Sequence, residues 1–179
     1  MTTSELSPEQ LRVQGYLKSQ GEKYSWLELW PKVMSARLAL LDTIDGITEE
    51  QAQARTSADE WTIMEGLRHE VGVTRSTLHT VERLTGVEVS DAGRERDASE
   101  LSLVELRREL LLNSTQFGML AARLPEDAPL DRTAPHANFG DLHCRAWYLF
   151  QRIHDTDHVN QFRSIREAPD FPAAATASA

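Results

Sequence analysis

The sequence contains little cysteine and no long apolar run. Cys144 is the only cysteine among 179 residues, so no internal disulfide can form and a reducing cytoplasm is the expected location. No apolar stretch approaches the roughly 18 residues that a membrane-spanning helix needs. The first residues lack the basic start and apolar core of a signal peptide. The sequence therefore predicts no membrane association.

Positive charge is also scarce. Lysine occurs only at Lys18, Lys23 and Lys32, and the formal net charge is −9. The arginines are scattered among acidic residues, and no basic run is present that could displace counterions from phosphates. We therefore expect no nucleic-acid partner.

Proline is absent between Pro31 and Pro125. Leucine, alanine, glutamate, arginine and glutamine dominate this stretch, and all of them favour helices. No segment shows the sustained alternation of β-branched and polar residues that is typical of a strand. The composition and pattern predict an all-α protein without strands.

Start signals and apolar periodicity predict four long helices, over residues 25–46, 62–84, 102–124 and 141–166. The first three begin at capping boxes, in which a Ser or Thr side chain and a Glu three residues later satisfy each other's backbone amides. These boxes are Ser25-x-x-Glu28, Thr62-x-x-Glu65 and Ser102-x-x-Glu105. Such helices predict a four-helix bundle.

The links over 47–61, 85–101 and 125–140 are long for a simple up-down bundle. We therefore expect crossover connections, and the proline-rich 125–140 link is a candidate lid. The predicted organisation is an N-terminal extension with a short helix over 1–24, the bundle over 25–168 and a disordered tail over 169–179.

The main candidate for chemistry is the pair His154 and His158. A spacing of four places both imidazoles on one helix face, where they can reach one metal ion. This face is otherwise largely apolar and carries Trp147, Phe150, Gln151, Gln161 and Ile165. The spacing alone is equally consistent with a metal site and with an ordinary pair of surface histidines. The inward position of this face favours metal, because the nitrogens of buried imidazoles need binding partners. The neighbours available to hold the other ring nitrogens are Asp155, Asp157, Gln151 and Gln161.

The third candidate ligand is His69. Its helix face is small and polar, with Gly66, Gly72 and Ser76, so periodicity alone is consistent with either solvent or the wall of a cavity. Glu65 lies four residues earlier on the same face. It could support a ligand or act as a base, but closing the capping box is the simpler role.

Two segments resemble the DinB/YfiT-like metalloenzyme family. Trp61-Thr-Ile-Met-Glu65-Gly-Leu-Arg-His69 resembles its Trp-(Ser/Thr)-x-x-Glu-x-x-x-His signature. His154-Asp-Thr-Asp-His158, followed by Gln161, resembles its second signature. Their order, their separation and the four predicted helices all agree, and the resemblance covers about residues 26–166.

The resemblance implies a four-helix bundle in which His69, His154 and His158 hold one divalent ion, with further positions open to water. Zinc or nickel is the first expectation, with manganese and iron as alternatives. The family contains thiol-dependent transferases and proposed hydrolases, so the resemblance implies a small-molecule substrate and makes a low-molecular-weight thiol a candidate cofactor. A homodimer is also expected from the resemblance. The alternative is a non-catalytic binding or stress protein with a structural or vestigial metal site.

The remaining candidates are weaker. His154-Asp-x-x-His158 differs from the zinc-peptidase motif by one methylene, and no third ligand motif of that class follows it. Cys144 lies about 15 Å along the helix from His154, so we expect it to be a packing residue. His136 and His143 are expected in a loop and a helix cap.

Overall fold

The structure is a computed structural model, and it describes residues 6–88 and 96–173. The described helices are α1 (Pro8–Lys23), α2 (Trp26–Thr43), α3 (Glu49–Gln53), α4 (Ile63–Thr85), α5 (Leu103–Arg123) and α6 (Cys144–Glu167), with a 3-10 turn at Ala98–Glu100. None of these helices is long and apolar enough to cross a membrane. The predicted all-α class and four long helices are confirmed.

The bundle consists of α2, α4, α5 and α6. Going around it, α2 packs against α6, α6 against α4, α4 against α5, and α5 against α2. The three predicted capping boxes are present at Ser25, Thr62 and Ser102. At the end of α4, Gly86 adopts a left-handed conformation with φ of 73°, as the stop signal predicts.

The leading helix is longer than expected. It spans 16 residues and packs against α6, and its Leu17 is fully buried in the core. The predicted domain boundary after residue 24 stays a prediction. At the other end, Phe171 packs against the core, and the Gln51 side chain donates to the Pro172 carbonyl at 2.9 Å. The chain therefore stays in contact with the bundle as far as Pro172. The rest of the predicted tail, 174–179, lies outside the described residues.

The prediction of no strands is wrong for the link over 125–140. An antiparallel hairpin of β1 (Thr133–His136) and β2 (Gly140–His143) begins in this link and extends into the predicted start of the fourth helix, with Ala134 opposite Leu142. Gly140 has a φ of 61°, which favours glycine in the turn. The strands are too short for a detectable alternation pattern. The hairpin packs on the start of α6, where the Trp147 Nε1 donates to the Ala134 carbonyl at 3.1 Å, and α6 therefore begins three residues later than predicted.

A layer of buried polar residues divides the core. One apolar cluster contains Trp26, Phe117 and Tyr148, and the other contains Leu40 and Phe162. Along each bundle helix, buried polar side chains lie where one cluster gives way to the other. These side chains are Arg37, Glu70, Thr74, Asn113, Gln151 and Asp155. This polar layer lies beside the predicted histidine site.

Candidate metal centre

Helices α4 and α6 approach closely where they carry the candidate ligands. Gly66 makes this approach feasible, because a Cβ at this position would lie only 2.5 Å from the Phe162 ring. Gly66 lies one turn before His69, and Phe162 lies one turn after His158. The small face of α4 is therefore partly a helix contact that brings His69 towards α6.

The structure brings His69, His154 and His158 together. One ligand atom from each lies within 4.8 Å of the other two. The Nε2 atoms of His69 and His154 are 3.2 Å apart, and the ring centroids of His154 and His158 are 4.7 Å apart. His69 is exposed, His154 is partly buried and His158 is buried. The three imidazoles therefore line one site that has an open side.

The donor geometry fits a divalent ion. Zinc–imidazole bonds of about 2.0–2.1 Å in a tetrahedron place the ligand nitrogens about 3.3 Å apart, close to the 3.2 Å between His69 and His154. The other ring nitrogens of the α6 pair have partners: His158 Nδ1 donates to Gln161 Oε1 at 2.8 Å, and His154 Nδ1 donates to Glu70 Oε2. These contacts fix the rings and leave the Nε2 atoms as the ligand atoms. The Nε2 of His154 lies 3.2 Å from that of His69, and the Nε2 of His158 lies 3.7 Å from Glu70 Oε2.

Glu70 belongs to a buried network that spans the bundle. Arg37 donates through Nε to Asp155 Oδ2 at 2.9 Å and through a terminal nitrogen to Glu70 Oε1 at 2.9 Å. Gln151 donates to Glu70 Oε1 at 2.5 Å and to Asp155 Oδ1 at 2.7 Å. Thr74 donates to Glu70 Oε1 at 2.9 Å. Because both carboxylates are fully buried, these contacts replace the water that they lose.

The network sets the charge of the site. Burial would raise the pKa of Glu70, but the His154 hydrogen bond and the Arg37 charge lower it well below its ordinary value. Burial opposes protonation of His154, but the bond to Glu70 raises its pKa overall. Burial lowers the pKa of His69 and of His158. These two imidazoles are therefore neutral at pH 7, which is the form that binds metal.

A second cluster, of Glu70, His154 and Asp155, also has the spacing of a metal site. The Arg37 guanidinium already contacts both of its carboxylates. Because this fixed cation compensates their charge, the second cluster is better understood as an ion-pair network than as a second metal site.

A cleft of about 500 Å³ opens onto the histidines. Among the described residues, its wall combines the three imidazoles with acidic and aromatic side chains and includes no lysine or arginine. The lining residues are Asp59, Glu60, Trp61, His69, His154, Asp157, His158 and Gln161. The Trp61 ring lies edge-on to His69, with centroids 5.0 Å apart. No residue of the 125–140 link lines the cleft, so the lid expected there does not cover it in this structure.

The predicted supporting residues separate into two groups. Gln161 contacts a candidate ligand directly, and Asp157 lies in the cleft wall, where burial raises its pKa. Asp155 and Gln151 lie behind the site and contact Arg37 and Glu70 rather than the His154 nitrogens. Burial raises the pKa of Asp155 to about 7, and the Arg37 charge opposes that shift.

Glu65 closes the Thr62 capping box and forms an ion pair with Arg55 at 2.6 Å. Glu65 is not among the residues that line the cleft. The simpler of its two expected roles, helix capping, is therefore the one that its contacts support.

Among the described residues, the other candidates do not belong to the three-histidine cluster. His143 is the N-cap of α6, as expected, and accepts from the Ala146 amide at 3.2 Å. Cys144 is buried, and burial raises the pKa of its thiol to about 11, which agrees with a packing role. His136 is in β1 and packs against Phe139 and Phe150.

Glu70 was not among the predicted site residues, and no ion-pair partner was predicted for Arg37. The available signal was a pair of opposite charges on core-facing positions of two helices. Glu70 follows Leu67 by three residues and precedes Val71 on the apolar face of α4, and Arg37 lies on the apolar face of α2. A buried charge without a partner is costly, so each of these residues indicates that an oppositely charged side chain lies beside it in the core.

Comparisons with known proteins agree with this architecture. The family model of the DinB superfamily matches residues 35–162. The uncharacterized protein YuaE of Bacillus subtilis (strain 168) is 26% identical over 152 residues, covering 74% of this chain and 93% of that protein. The crystal structure of TT2238, described as a four-helix bundle protein, aligns with a TM-score of 0.61 and 22% identity, covering 78% of this chain and 99% of that one. The chain, with its four-helix bundle, belongs to the DinB superfamily.

Proposed function

We propose that this protein binds one divalent metal ion through His69, His154 and His158 and uses it to act on a small molecule. The observation that carries the proposal is the convergence of three ring nitrogens within 4.8 Å of one another at the wall of a cleft. His69 comes from α4 and the other two from α6, so the ion would also join two helices.

The ligand set favours zinc or nickel, with manganese and iron as alternatives, because imidazole is an intermediate ligand in hardness. Imidazoles bind metal in their neutral form, so three of them would leave the charge of the ion without a negatively charged ligand. Glu70 offsets part of this charge through His154, because it accepts from the opposite ring nitrogen. The exposed position of His69 leaves the site open to the cleft.

The proposed activity is a thiol-dependent S-transfer or a hydrolysis. A divalent ion bound there would lower the pKa of a bound thiol or water, which both reactions require. The cleft, of about 500 Å³, has room for a small molecule. Asp157 precedes His158 in the cleft wall and is the proposed acceptor of the released proton.

Metal analysis of untagged protein tests the first half of this proposal. We expect about one divalent ion per chain, and a preparation that neither contains nor takes up metal would contradict the site. A screen with low-molecular-weight thiols, electrophiles and simple esters tests the second half, with His154→Ala as the inactive control. Stoichiometric metal without turnover would instead support the non-catalytic alternative.

We also propose that the protein is a homodimer. Among the described residues, six of the nine exposed large hydrophobic side chains lie on α2 and α5, which are neighbours in the bundle. They are Leu27, Trp30, Leu38, Val104, Leu111 and Leu112. An apolar face of this kind is typical of an interface.

Sedimentation at micromolar concentration tests the assembly, and we expect a mass of twice 20.2 kDa. Leu111→Lys should give monomers. Leu11→Lys, a change at a similarly exposed position on α1, is the control and should remain dimeric. A monomeric wild-type protein would contradict the dimer.

A further inference from the structure

Arg37 links every helix of the bundle at the level of the histidines. It belongs to α2, pairs with Glu70 of α4 and Asp155 of α6, and donates to the Leu110 carbonyl of α5 at 3.4 Å. Its side chain is only 2% exposed. Arg37 is not among the residues that line the cleft, so any effect on bound metal must pass through another side chain.

The two oxygens of Glu70 have separate partners, and this carries the inference. Oε1 accepts from Arg37 and from Gln151, whereas Oε2 accepts from His154 Nδ1. Contacts on Oε1 fix the rotation of the carboxylate and so direct Oε2 at the imidazole. The same guanidinium is fixed in turn by Asp155, which it contacts through two nitrogens at 2.9 and 3.0 Å.

Stability alone does not account for this arrangement. Apolar residues of similar volume often replace a buried ion pair without loss of stability, because desolvation of the charges offsets much of their attraction. In this network, Glu70 Oε2 is directed at the candidate ligand His154, and this contact has a further use. It can hold that ligand in one orientation and one tautomer, with Nε2 available for metal.

We propose that Arg37 is a positioning residue for the metal site, acting on His154 through Glu70. This inference rests on the proposed function, because it assumes that His154 ligates a metal. Its chemistry is a relay of fixed hydrogen bonds: the guanidinium orients the carboxylate, and the carboxylate orients the imidazole.

The substitution Arg37→Lys tests the relay because it keeps the positive charge and removes the planar fork. We expect zinc affinity, measured by competition with a chelator, to fall by about tenfold, at the lower end of the effect of losing an orienting contact. The visible absorption bands of the cobalt(II)-loaded protein should also shift, because they report ligand geometry. A merely structural role would leave these bands unchanged.

Arg75→Lys is the matched control. Among the described residues, Arg75 also forms a largely buried ion pair between bundle helices, with Glu109 at 3.0 Å, and neither residue lines the cleft. This variant should lose stability without a change in zinc affinity or in the cobalt bands. A loss of affinity as large as that of Arg37→Lys would overturn the relay, because it would show a general response to weakened packing.

Thr74→Val provides a second variant in case Arg37→Lys does not fold. It is nearly isosteric and removes the hydroxyl that contacts both Glu70 Oε1 and Arg37 at 2.9 Å. We expect a smaller loss of zinc affinity in the same direction. Wild-type affinity and cobalt bands in a folded Arg37→Lys, or in Thr74→Val where Arg37→Lys does not fold, would overturn the relay and leave the three-histidine site standing. A wild-type protein that binds no zinc would instead overturn the proposed function, and the relay with it.

Discussion

The variant His69→Ala is expected to weaken metal binding severely without loss of the fold. His69 is exposed on α4, and its ring contacts are with Trp61 and the two α6 histidines. Removing it leaves the buried network of Glu70 in place, so the metal-free protein should unfold at nearly the wild-type temperature. Losing a contact that orients a ligand costs about 10- to 100-fold in affinity, and losing a ligand should exceed 100-fold.

The size of the effect in an unfolding assay follows from linkage. Zinc at 1,000 times its dissociation constant stabilises the native state by about 4.1 kcal/mol, which raises the melting temperature of a chain of this length by about 8–16 °C. If the affinity for zinc falls by more than 100-fold, the same zinc concentration is no more than about 10 times the new dissociation constant. Zinc then stabilises the native state of the variant by about 1.4 kcal/mol or less. The shift should then be below about 3–6 °C.

His79→Ala is the matched control for this measurement. His79 is also an exposed histidine on α4, so the change in helix propensity is the same, but it does not belong to the candidate site. Its zinc-induced shift should equal that of the wild-type protein. If the His69 variant showed the full wild-type shift, the three-histidine site would be wrong.

Other substitutions test the site and its surroundings. His154→Ala and His158→Ala should each remove bound metal in the same assay, and retention of metal by either would contradict its role as a ligand. Burial lowers the pKa of His136 to about 4, so the unfolded chain binds more protons between that pH and about 6.5, and stability should fall as the pH is lowered through this window. His136→Phe should flatten that fall in acid unfolding curves, whereas an unchanged slope would exclude His136 as its source. Gly66→Ala should weaken zinc binding by forcing α4 and α6 apart, despite a gain in helix propensity of about 1 kcal/mol. Gly72→Ala, where an added Cβ meets no atom within 4 Å, should stabilise the protein and leave zinc affinity unchanged.

The long helices were predictable because their signals are local. A capping box needs two side chains three residues apart, and a buried face repeats every three or four residues. The boxes at Ser25, Thr62 and Ser102 therefore located three helix starts within one residue. The His154 and His158 pair was visible for the same reason, since a spacing of four defines a shared face. Its link to His69 came from a resemblance and not from periodicity.

Only the tertiary structure showed which distant groups meet. Arg37 pairs with a carboxylate 33 residues away and with another 118 residues away, and no local pattern encodes either distance. The 133–143 hairpin also escaped prediction, because two four-residue strands gain their stability from packing on α6 and not from their own sequence. The sequence by itself determined the long helices and the His154 and His158 pair, since these depend on neighbours within one or two turns. The fold decided how a buried network supports those ligands, because the cost of burying a charge is offset only by partners that folding brings into contact.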